Sequence, residues 1–147
     1  MKISTKGRYG LRAMLDLAVY SKIDHVTLNS IAERQNISAN YLEQVFSILR
    51  RAGLVKSIKG AQGGYILGNS PGRISVGQIL RALEGELFQG GEDEAVKGQY
   101  NVEYCLKSAV WARMQANIND LADSITLEDL VAEYKRINKN QSYMFYI

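Results

Sequence analysis

The sequence predicts a mainly helical protein with one small β-hairpin, and three observations carry that expectation. Apolar residues recur at three- and four-residue spacing through most of the chain. Two short runs, Val55 to Ile58 and Tyr65 to Leu67, read instead as strands. Between them Gly60 to Gly64 carries three glycines in five residues, which suits a hairpin tip.

Ser4 is placed to cap a first helix running to about Ser21, with Leu11, Met14, Leu15, Ala18 and Val19 on one face. The polar connection Lys22 to Val26 leads to Thr27, which caps a short helix whose Leu28, Ile31 and Ala32 face inward. Asn36 ends it, because asparagine tolerates the left-handed conformation a tight turn needs. Ser38 caps the next helix, with Leu42, Val45, Phe46 and Leu49 inward, and Gly53 supplies its stop. After the hairpin, Pro71 is the only proline and marks a boundary; Ser75 then caps a helix carrying Val76, Ile79, Leu80 and Leu83. Residues 85–100 include four glycines and the run Glu92, Asp93, Glu94, and read as a flexible linker or loop.

Beyond it Val102, Leu106, Val110, Met114, Ile118 and Leu121 form a stripe that predicts a helix of about 20 residues, about 30 Å long. The chain has too little of its own to cover that stripe, so pairing with a second copy is expected. Thr126 and Asp129 form a capping-box pattern for a short last helix, TLEDLVAEY. The tail QSYMFYI is too apolar to stay free and is expected to pack on a core or a partner. The expected organisation is thus a unit over 1–84, a linker over 85–100, and a dimerisation helix with a last helix and tail over 101–147.

At 147 residues, 46% apolar and 22% charged, the chain is the size of one ordinary globular domain with an appendage. No apolar run approaches the roughly 20 residues of a membrane span, and Arg8, Arg12 and Asp16 interrupt the N-terminal stretch. A cytoplasmic location is expected, and the single cysteine, Cys105, agrees with a reducing compartment. The net charge of +3 is unevenly spread: Met1 to Arg81 holds 12 Lys and Arg against 4 Asp and Glu, Ala82 to Ile147 6 against 11. A basic half joined to an acidic half points the first toward a polyanion.

A short helix, a tight turn, a longer helix and a hairpin are, in that order, the parts of a winged helix-turn-helix, which holds one helix in a DNA groove. Asn40, Glu43, Ser47 and Arg50 follow at spacings of three, four and three, and share a face; Arg51 adjoins them. Ser38 and Ala39 lie at its leading end, where base-edge contacts concentrate. Asparagine and glutamine suit adenine, and glutamate suits cytosine. Lys56 and Lys59 on the first strand, with Gln62 and Gly63 in the tip, are candidates for backbone and minor-groove contact. Lys2, Lys6, Arg8 and Tyr9 open the first helix, placed to position the phosphate backbone.

The stretches MKISTKGRYGLRAMLDLA, IAERQNISANYLEQVFSILRRAGLV, KGAQGGYILG and ALEG resemble the winged-helix repressor family that includes the iron–sulfur regulator IscR, the nitric-oxide sensor NsrR and the cysteine-metabolism repressor CymR. They cover most of residues 1 to 84, and the closing TLEDL and YMFYI are similar to the cysteine-metabolism branch. The resemblance implies a homodimer on a palindromic double-stranded DNA operator, with the long helix as its dimerisation element. It implies DNA contacts at Ser38, Asn40, Tyr41, Glu43 and Gln44, and a minor-groove contact from Lys59. In that branch a cysteine-biosynthesis enzyme can act as co-regulator, and the acidic half and the tail are the candidate surfaces.

Cluster-binding relatives carry three cysteines after ALEG, whereas this chain keeps Cys105 alone. Four protein ligands are usual for an iron–sulfur cluster, so no cofactor and no metal are expected. Cys105 reads either as a small apolar residue of the long helix or as a redox-responsive thiol near a helix N-terminus. An enzyme is not expected: the lone histidine and the lone cysteine fall in different segments, and no convergent carboxylate pair can be argued. A protein-interaction adaptor that uses the fold without DNA is the remaining rival.

Overall fold

The computed structural model describes residues 2–88 and 101–145. Its elements are α1 (Thr5–Tyr20), α2 (Leu28–Gln35), α3 (Ala39–Arg51), β1 (Val55–Ile58), β2 (Gly64–Leu67), a 3₁₀ turn (Pro71–Arg73), α4 (Val76–Glu84), α5 (Val102–Leu106), a π turn (Lys107–Trp111), α6 (Ala112–Ser124) and α7 (Leu127–Phe145). The predicted fold class is the observed one, a helical protein with a single antiparallel hairpin in which Val55 faces Leu67 and Ile58 faces Gly64. Most of the expected linker, with Glu92, Asp93 and Glu94, lies outside the described residues, as do the side chains of the closing YMFYI.

Local chemistry sets the helix starts. Ser4, Thr27, Ser38 and Ser75 each accept a hydrogen bond from the backbone N–H three residues on, a cap worth about 1 kcal/mol. Gln78 reaches back to the Ser75 N–H and closes a capping box. Thr126 and Asp129 form the second box, as their pattern predicts. Asn36 adopts the left-handed conformation, with φ 53° and ψ 50°, and turns the chain from α2 into α3.

The core gathers Met14 and Leu17 of α1, Ile31 of α2, Leu42, Val45, Phe46 and Leu49 of α3, Val55 of β1 and Ile79 of α4. Leu127 and Val131 of α7 lie in that same core. The last helix of the 101–147 segment thus packs back on α1 and shares the core of the first unit. Two backbone bonds fix its start, from the Val76 N–H to the Ile125 carbonyl (2.8 Å) and from the Leu127 N–H to the Ile74 carbonyl (2.9 Å). Arg81 of α4 grips Asp123 of α6 with two bonds of 2.7 and 3.0 Å, and also meets Asn119. That grip holds the Asp123 carboxyl below its ordinary value and raises Arg81, the hydrogen bond acting first in both.

Two helices depart from expectation. The last helix is not short: α7 runs 19 residues to Phe145, so the tail continues it at least that far. From residue 99 onward the chain contains no glycine or proline, and the polar run 138–142 alone does not stop a helix. The predicted 20-residue helix is continuous over 102–124 but carries the π turn in its first half. The turn has a geometric effect. Each four-residue step overshoots one side of an α-helix by about 40°, so four steps would carry the stripe about 160° around it. One wide turn absorbs an extra residue and brings Met114 and Leu121 back toward the line of Leu106.

Candidate nucleic-acid interface

Asn40, Glu43, Gln44, Ser47, Ile48 and Arg51 share one open face of α3. Arg51, which hydrogen-bonds Ser47 at 3.1 Å, completes this face; Arg50 is exposed beside it. Ser38 stays exposed while its hydroxyl caps α3 by accepting from the Tyr41 N–H. Tyr41 is half-buried and meets Tyr9 edge to face, with ring centroids 5.9 Å apart. This contact sets the opening turns of α1, with exposed Lys6 and Arg8, next to the leading end of α3. Lys2 is exposed just before α1.

The N-terminus of α1 is held from a distance. The Glu84 carboxylate at the end of α4 accepts from the Ser4 N–H (3.0 Å), the Ser4 hydroxyl and the Gly7 N–H (3.1 Å). A Cβ at Gly7 would fall on that carboxylate, so a larger residue there would displace the Glu84 side chain from the helix start. Glu84 belongs to the ALEG stretch, and sequence alone does not show that it caps a helix 80 residues earlier.

A buried carboxylate sets the pose of α2. Asp16 of α1 accepts two bonds from Arg34, 2.9 and 2.8 Å, and a third from the Gln35 amide, 2.9 Å. The Arg34 guanidinium also lies 4.0 Å over the Tyr20 ring. Its charge is favoured, first by the bond to Asp16. The Tyr20 phenol is pushed above its ordinary value, chiefly by its hydrogen bond with Tyr134 of α7. Charge along the chain identifies Asp16 only as a residue interrupting an apolar stretch, because its partner lies 18 positions away.

The hairpin packs on α3 through Tyr65 against Phe46, ring centroids 4.9 Å apart. Lys56, Lys59 and Gln62 are exposed on it; Gly63 is packed against the carbonyls of Ile58 and Gly60. The packing of α1 and the hairpin against α3 leaves Lys6, Arg8, Lys56 and Lys59 exposed on elements that adjoin it. These residues and the α3 face can bind phosphates and offer amide and carboxylate groups to base edges.

The long helix presents a second surface. Val102 (75%), Leu106 (37%), Met114 (42%) and Leu121 (62%) are exposed in the single chain. Val110 is half-exposed, and Ile118 turns partly inward onto Leu80, Leu87 and Ala122. Cys105 is exposed, so within one chain it does not serve as a packed apolar residue. Among the described residues no group of three or more His, Cys, Asp or Glu side chains is placed to hold a metal ion. No helix among them is long and apolar enough to cross a membrane.

Comparison with known proteins places these surfaces in context. The sequence model of the Rrf2 family, described as an iron-dependent transcriptional regulator, matches residues 3–133. The HTH-type transcriptional regulator CymR of Bacillus subtilis is 46% identical over 149 residues, covering all of both chains. The solved structure of CymR, the global cysteine regulator of B. subtilis, matches with TM-score 0.76 and 45% identity over 90% of this chain and 98% of that one. The T. potens IscR structure matches equally well, with TM-score 0.76 and 44% identity over 99% of this chain and 97% of that one.

Proposed function

The chain belongs to the Rrf2 family of transcriptional regulators, and from that premise we propose that it is a repressor of cysteine- or sulfur-metabolism genes, acting as a homodimer on a palindromic operator. Family membership makes it a regulator and not an enzyme. The observation that carries the reading is the exposed face of α3, which presents base-reading residue types, with exposed lysine and arginine on the α1 and hairpin elements packed against it. Each protomer contributes one such helix, and the exposed stripe of the long helix supports pairing of two copies. The sulfur assignment rests on the match to the B. subtilis regulator, and a cysteine-biosynthesis enzyme is the proposed co-regulator. The protein is proposed to act in the cytoplasm.

Glu43→Ala is expected to redistribute preference among operator variants by about 1–3 kcal/mol at one base position. Arg50→Ala is expected to weaken all duplexes alike, since it flanks the α3 face and offers only charge. Affinities measured on a set of single-base operator variants distinguish the two. A uniform loss for Glu43→Ala would mean that another face reads the bases.

The family description names iron, and the donor set does not fit a cluster. One thiol per chain leaves a cluster at least two ligands short even in a dimer. Anaerobic incubation with iron and sulfide is expected to produce no visible charge-transfer absorption on the protein. A stable chromophore with stoichiometric iron would overturn that. The exposure of Cys105 favours a second reading of the signal, a thiol switch, in which Cys105→Ser keeps DNA affinity under oxidant and the parent protein loses it.

A further inference from the structure

The only histidine of the chain lies in the connection between α1 and α2, where nothing in the helix-turn-helix requires one. Its side chain is 24% exposed. The Nδ1 atom is 2.9 Å from the Asp24 carboxylate, and Nε2 is in hydrogen-bond contact with the backbone carbonyl of Gln62 at the hairpin tip. Both partner atoms are oxygens that can only accept. A neutral imidazole has one N–H, so it satisfies one of them and turns a lone pair toward the other. Only the imidazolium donates to both.

The surroundings concentrate this contact on the hairpin tip. Val26, the next residue, is bonded in both directions to Tyr65, at 2.9 and 2.7 Å, which anchors the root of β2. Gly64 lies directly beneath, where a Cβ would be 2.8 Å from the imidazole Cδ2 and 2.5 Å from the Val26 carbonyl oxygen. Beyond that root the segment 59–62 is exposed, and the Gly63 N–H closes its own turn on the Gly60 carbonyl. His25 is thus the side chain that ties the tip to the helical body. From its own connection the charged group facing the ring is Asp24; from the hairpin the facing groups are the Gln62 carbonyl and the Gly64 backbone. Among the described residues no other charged group pairs with it.

We propose that His25 is a positioning residue of the DNA interface: its imidazolium pins the hairpin tip that carries Lys59 and Gln62, so duplex affinity depends on its protonation. This rests on the DNA-reading proposal above. By linkage, a state in which the pinned tip contacts DNA favours the protonated ring, and DNA in turn holds the proton more tightly. Affinity is therefore full where the ring is charged and falls as rising pH removes its proton.

The test uses the full-length protein and a labelled duplex that it selects from a random-sequence library at pH 6. Affinity is measured from pH 5.5 to 8 at constant ionic strength for the parent, His25→Gln and His25→Ala, each first checked for cooperative thermal unfolding. The parent is expected to lose about tenfold in affinity across that range, a usual size for such a coupling. His25→Gln, which cannot titrate but can still donate to Gln62, is expected to give a flat profile, and His25→Ala a flat and weaker one. Because the chain has one histidine, the imidazole C–H resonance can be followed without assignment, and its titration is expected to move to higher pH with duplex bound. Duplex binding with equal pH profiles for parent and His25→Gln, or an imidazole titration unmoved by duplex, would overturn the proposal and leave the DNA reading standing. Selection of no duplex at any pH would remove both.

Discussion

Replacing Met114 and Leu121 together with glutamate is expected to convert the protein to a monomer and to weaken operator binding by at least about 100-fold. Both side chains are exposed in the single chain, at 42% and 62%, and neither belongs to the buried core. Folding of one chain should therefore be little changed, and thermal unfolding at low concentration checks this. In the proposed dimer the same positions are buried against a second copy, where four uncompensated carboxylates would each lose hydration without a partner. The DNA effect follows from valency. Two half-sites bound by linked protomers gain about 10²- to 10⁴-fold over one, and a monomer forfeits that factor. Sedimentation with a duplex titration measures both consequences. A dimer that persists in the double variant would place the protomer contact elsewhere.

Arg34→Met is expected to destabilise the folded chain by about 3–5 kcal/mol, the usual cost of leaving half of a buried ion pair behind. The Asp16 side chain is fully buried, whereas Arg34 is about one-third exposed. Removing the arginine strips two of the three donors from the carboxylate and leaves the Gln35 amide alone. It also removes the cation from the Tyr20 ring. Asp16→Asn is milder, because the freed guanidinium already reaches water. Urea unfolding of the three proteins at neutral pH gives the comparison, and a loss under about 1 kcal/mol for Arg34→Met would show the pair to be dispensable. Because the pair fixes α2 against α1, a partly folded variant should also bind duplex weakly.

What the sequence made legible was local. Ser4, Thr27, Ser38 and Ser75 sit three residues before the N–H they cap, so their role can be read from spacing. Asn36 and Gly53 mark turns because few residues accept a positive φ. The outward side of α3 was legible because the apolar positions Leu42, Val45, Phe46 and Leu49 are the ones it buries. Adjacent residues differ by about 100° on a helix, so a ladder begun at Asn40 sets Arg50 near the line of Glu43 and Arg51 near the line of Asn40. Arg51 lies four residues past Ser47 and keeps to the open face. What stayed hidden were contacts across long separations: Arg34 with Asp16, Glu84 with the start of α1, and His25 with Gln62. No periodicity encodes these. The π turn was hidden for a different reason, since a four-residue apolar spacing fits an α-helix over two turns and conflicts with it only over the full length of the stripe.

Entry of α3 into a DNA groove as a sequence reader is tested most directly by competition binding at several salt concentrations. A duplex enriched from a random library should resist random competitor by at least about 1,000-fold, and log affinity should fall with log salt at a slope near −4 or steeper, as several phosphate contacts require. A protein that enriches no sequence, or whose duplex binding is indifferent to salt, would contradict the account.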